Sequence, residues 1–150
     1  MERATRGHLS TKAAVFPNCP LSDVQSYEQR LERWSGLLGR EPHRLLSTFP
    51  GTEFMDKHIR DAMSCPNSAI TVAFEDPVLR EAGLADDSYG TAKKFFGLSD
   101  AQMHWILCYC HHGTAIHAGV LTAVVRAVIP KPPRLGFFGW LRDTFAARAI

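Results

Sequence analysis

The sequence predicts an all-α fold: a compact bundle of about six or seven helices around a central apolar helix at 115–129, with an amphipathic tail helix at the C-terminal end. Three observations predict it. Val24, Tyr27, Leu31, Trp34 and Leu38 recur at steps of three and four, which gathers them into one apolar stripe on a helix. Ser99 and Gln102 form a capping box, with Leu98 and Met103 as the hydrophobic staple around it, directly after Gly97. Residues 115–129 are apolar on nearly every side and bounded by Gly113 and Pro130, the pattern of a helix buried at the centre of a bundle.

The elements follow in order. Ser22 with Gln25 reads as the box that starts the first helix, and Gly39 as its stop. Pro42 starts a short helical turn through Leu45 and Leu46, which Pro50 ends. Thr52 caps a helix carrying Phe54, Met55, Ile59, Ala62 and Met63. In 68–74, Ile70, Val72 and Phe74 alternate as in a strand, yet no other segment alternates well enough to pair with it, so the segment reads as helix or extended link. Asp76-Pro77 is a cap followed by a first-turn proline, and Gly83 closes that short helix. Asp86 or Asp87 caps a helix carrying Tyr89, Ala92, Phe95 and Phe96, which ends at Gly97. The helix from Ser99 then runs to about His112, and Thr114 caps the central one. The first helix packs on that centre through Leu31 and Trp34, and the 100–112 helix through Met103, Leu107 and Cys110.

The chain divides into an N-terminal arm at 1–20, a helical domain at 21–130 and a proline-linked amphipathic segment at 131–150. At 150 residues, with 45% hydrophobic and 21% charged, it can build a core without disulfide or metal. A net charge of +2 with no run of five like charges gives no case for nucleic acid. The first twenty residues lack the apolar centre of a secretory signal, and no stretch reaches the roughly 18 apolar residues of a membrane span. The expectation is a cytoplasmic protein whose four cysteines are free thiols.

Chemistry concentrates between His104 and His112. On a continuous helix, at about 100° per residue, Cys110 joins Met103, Ile106 and Leu107 on the core stripe. His104, Cys108, His111 and His112 then fall on an accessible flank. His104, Cys108 and His112 are spaced by four, so one transition-metal ion such as zinc can bridge them, with His117 or Cys65 completing the shell. That reading makes metal binding depend on His112. The competing reading is structural: His111 and His112 meet the negative end of the helix dipole and Cys108 merely packs. A third reading makes Cys108 the nucleophile of a thiol-dependent hydrolase or transferase, with His104, His111 or His112 as its base. A helix interior with no oxyanion loop suits that poorly.

Glu75, Asp76, Glu81, Asp86 and Asp87 are adequately explained as caps and solvated face. The tail groups Phe137, Phe138, Trp140, Leu141 and Phe145. Such a face either covers the bundle or binds a protein partner or a second copy; a membrane surface would call for more lysine and arginine. The function expected from the sequence is thus a regulatory or partner-binding module without catalysis of its own. A metal- or redox-responsive protein built on the Cys/His cluster is the alternative.

Overall fold

A computed structural model describes residues 24–131. The described chain is mostly helical, with one small two-stranded sheet. The arm at 1–20 and the tail residues Phe137, Phe138, Trp140, Leu141 and Phe145 lie outside the described residues.

The first helix, α1, spans Tyr27–Arg40. Its capping box is Ser26 with Gln29, four residues beyond the Ser22 box, and it continues through Gly39. Two Ser-x-x-Gln patterns stand in tandem, and the second sets the start. Leu31, Trp34, Ser35 and Leu38 face the core, whereas Tyr27 leaves the stripe and lies half exposed where a Cβ on Gly97 would otherwise sit.

A short strand, β1 (Leu45–Ser47), replaces the helical turn expected after Pro42. It pairs antiparallel with β2 (Ala115–His117), Leu46 opposite Ile116. The helix expected from Thr52 divides into a 3-10 turn at Thr52–Phe54, with Phe54 exposed, and α2 (Lys57–Ala62). Residues 68–74 resolve as helix: α3 spans Ala69–Glu75 and carries its own box from Ser68 and Thr71.

Asp76 then caps α4 (Pro77–Glu81), as its Asp-Pro pair foretold. It also holds Arg33 of α1 through two bonds of 2.6 and 3.0 Å. Burial alone would push the Asp76 carboxyl up, but Arg33 and the Leu79 and Val78 amides outweigh it and hold it below its ordinary value. A carboxylate depressed in the folded state stabilises the fold above its unfolded pKa of about 3.9, and that contribution is lost as the pH falls through the folded value. Asp76→Asn should therefore cost about 1.5–3 kcal/mol at pH 7. The gap to the parent chain should begin to narrow as the pH falls below about 4 and keep narrowing toward the depressed folded-state value. Urea titrations at pH 7 and pH 3 check this; an equal gap at both would refute the assignment.

Ser88, rather than Asp86 or Asp87, caps α5 (Tyr89–Phe96); Asp86 instead accepts the Ser88 amide. Gly97 ends α5 with φ 65°, a left-handed conformation suited to glycine. Gly90 lets α5 approach α2: a Cβ there would meet the Asp61 Cβ at 2.7 Å and its carbonyl oxygen at 2.9 Å.

The last helix, α8, spans Ala118–Val128. Residues 115–117 belong to β2, so Thr114 does not cap it; His117 occupies the N-cap position, and the Ala118 and Gly119 amides donate to the Arg44 and Pro42 carbonyls. It is not buried all round. Ala118, Leu121 and Val125 face the core, whereas Val120, Ala123 and Arg126 face outward. Its main partner is α1, and the Cβ position of Gly39 rests on Thr122. The core is shared by the helices and strands described above except α2, with Trp34 stacked on Phe96 at 4.4 Å between ring centroids.

Candidate metal centre

The site forms because a helix breaks. Helix α6 spans Asp100–Leu107 and begins with the expected Ser99 and Gln102 box. Cys108, at φ −84° and ψ 143°, is extended, and a separate turn of helix, α7, covers Tyr109–His112. The cause lies in the chain just after β1. The Phe49 amide donates to the Leu107 carbonyl at 2.8 Å, and the Tyr109 amide donates to the Phe49 carbonyl at 3.1 Å. Phe49 thus forms a parallel bridge with Cys108 and satisfies the backbone groups on both sides of it. No helical ladder is needed there.

One extended residue resets the phase of everything after it. The continuous wheel put Cys110 in the core and Cys108 on the accessible flank; the structure reverses them. Cys108 is 0% exposed, while Cys110 faces solvent. Cys110 therefore does not pack on α8 beside Met103 and Leu107, which are both buried as expected.

The reset also selects which donors meet. The His104 Nε2 lies 3.1 Å from the Cys110 Sγ, and the His104 and His111 rings stand edge to face at 5.0 Å. Ligand atoms of His104, Cys110 and His111 all lie within 4.8 Å of one another. The same holds for Glu53, His104 and Cys108. His104 is common to both sets. Either offers imidazole nitrogen and thiol sulfur, the donors that suit zinc and copper.

His112 and His117 fall in neither set. The His112 Nε2 lies 2.8 Å from the Trp105 carbonyl oxygen, and the His117 Nδ1 lies 3.3 Å from that of His43. A carbonyl only accepts, so each of these nitrogens is the donor in its bond. Cys65 is engaged elsewhere too, donating to the Thr48 carbonyl at 3.6 Å. Cys65, Cys108 and Cys110 are all free thiols, and Cys19 lies outside the described residues. Glu53, Cys110 and His111 are ligand candidates that the i, i+4 spacing misses; the sequence reads His111 as a partner of the helix dipole. Glu53 is remote in sequence, and Cys110 was assigned to the core by a helix that does not continue.

Burial pushes the Cys108 thiol up, against a smaller opposing effect of the Thr52 hydroxyl that hydrogen-bonds its sulfur. A reactive thiol needs the opposite shift. Of the bases the sequence offers it, His112 is turned to Trp105 instead, whereas a His104 ring nitrogen lies within 4.8 Å of the Cys108 sulfur.

No family model, no curated protein and no solved structure matches this chain. No helix among the described residues is long and apolar enough to cross a membrane.

Proposed function

We propose that this protein is a small regulatory module that binds one thiophilic transition-metal ion, zinc or copper(I), at the α6–α7 joint. The observation that carries the reading is that ligand atoms of His104, Cys110 and His111 all lie within 4.8 Å of one another near the surface. Two imidazoles and a thiolate are a common partial shell for zinc, and three protein ligands leave a fourth position for water or for a ligand from a partner. A reducing compartment such as the cytoplasm would keep Cys110 a thiol and fit for the task. The partner half of the reading rests on the sequence alone, with Phe137, Phe138, Trp140, Leu141 and Phe145 as the contact residues. The module needs no catalytic activity of its own.

Cobalt(II) is a coloured stand-in for zinc and reports sulfur ligation directly. Titration of the reduced chain should saturate at one equivalent with a thiolate-to-cobalt charge-transfer absorption. Cys110→Ser should slow uptake about tenfold or more, because it removes the exposed sulfur. Absence of that absorption at millimolar cobalt would rule the reading out.

A further inference from the structure

Resting on the metal reading above, we propose that His104 is a shared ligand that hands the ion from an exposed donor set, Cys110 and His111, to a half-buried one, Cys108 and Glu53. Geometry carries this. His104 is partly exposed and belongs to both sets, and in each set every ligand atom lies within 4.8 Å of the others. Cys110 and His111 are open to solvent and are the first sulfur and nitrogen an arriving ion meets. Cys108 is fully buried, so an ion bound to its sulfur is shielded on that side from water and competing chelators. Glu53 is exposed and stands at the mouth of the inner set.

Burial disfavours a free Cys108 thiolate, so that sulfur becomes a ligand only as the ion displaces its proton. Thr52, buried beside it, hydrogen-bonds the Cys108 Sγ and can donate to a thiolate there, the outer-shell support that orients a metal-bound sulfur. Phe49 fixes the Cys108 backbone on both sides, so the sulfur does not have to be ordered when the ion arrives.

The transfer is a ligand exchange without redox change. The bonds from the ion to Cys110 sulfur and His111 nitrogen break as bonds to Cys108 sulfur and a Glu53 oxygen form. The Cys108 thiol gives up its proton and the Cys110 thiolate takes one up, so the thiol protons balance. The Glu53 carboxylate replaces neutral His111 nitrogen, which suits a divalent ion such as zinc better than copper(I). Both sets draw on His104.

Stopped-flow release of zinc from the full-length reduced chain to an excess of a chromogenic chelator tests this. The parent chain should release a fast and a slow fraction, the slow one growing with time after loading. Glu53→Gln, at an exposed position that leaves the core intact, should abolish the slow fraction while keeping one-equivalent uptake. Cys108→Ala should do the same. Cys110→Ala should slow uptake about tenfold or more yet preserve slow release. A slow fraction that survives both Glu53→Gln and Cys108→Ala would overturn the handover and leave the outer site standing. A parent chain that takes up no zinc would overturn the metal reading itself.

Discussion

Trp34→Ala should remove much of the fold's stability at 25 °C and lower its urea midpoint sharply. Trp34 is fully buried, stacks on Phe96, and donates its indole Nε1–H to the Ala69 carbonyl at 2.8 Å. Truncating a buried tryptophan costs about 3–5 kcal/mol. The Ala69 carbonyl then loses its side-chain donor in a closed environment, which adds roughly 1–3 kcal/mol. Against a total stability of about 5–15 kcal/mol, that loss consumes much or all of the margin. Trp34→Phe separates the two parts: it keeps most of the packing and removes the donor, and should cost the smaller share. Far-ultraviolet circular dichroism in urea decides the matter. A Trp34→Ala midpoint equal to that of the parent chain would contradict the central place given to this side chain.

His104→Ala has the largest expected effect on binding. It removes the one group common to both donor sets, so zinc retention through dialysis, read by elemental mass spectrometry, should fall to background. The fold should survive, because His104 is only partly buried and its described side-chain contacts lie within the cluster. His112→Ala and His117→Ala should retain the ion, since those rings turn to backbone carbonyls. This reverses the dependence on His112 that the i, i+4 spacing suggests. Retention of a full equivalent by His104→Ala would place the ion elsewhere in the molecule.

That reversal shows where local signals stop. Helix starts at Ser99 and Asp76 and the stops at Gly83 and Gly97 are legible because each is decided by side chains within a few residues. The start of α1 is off by one capping box, since tandem Ser-x-x-Gln patterns offer two and local sequence does not rank them. The strands are illegible for another reason. Each is three residues long, too short to show alternation, and each is a strand only because the other lies beside it. Cys108 is the costliest case. Nothing from Met103 to His112 announces a break; it is imposed by the Phe49 backbone, far away in sequence. A wheel drawn through Cys108 therefore found the right neighbourhood for the site and exchanged the roles of its two cysteines. The buried face of α8 was partly legible, but the abundance of apolar residues concealed that only one side of it is covered.

The two donor sets also differ in what they do to the unfolded chain. His104, Cys110 and His111 lie within a single short segment, and an ion held by them closes a loop that an unfolded peptide can close almost as readily. The inner set joins Cys108 to Glu53, and Thr52, the residue before Glu53, is 56 positions from Cys108. An ion there would act as a removable cross-link across about half of the described chain. Its loop-closure cost, growing as about (3/2)RT ln n, is met by the native fold and must be met afresh by the denatured ensemble. On the proposed handover, an ion held inside would therefore be a clamp on global unfolding, while one held outside would be close to a passenger.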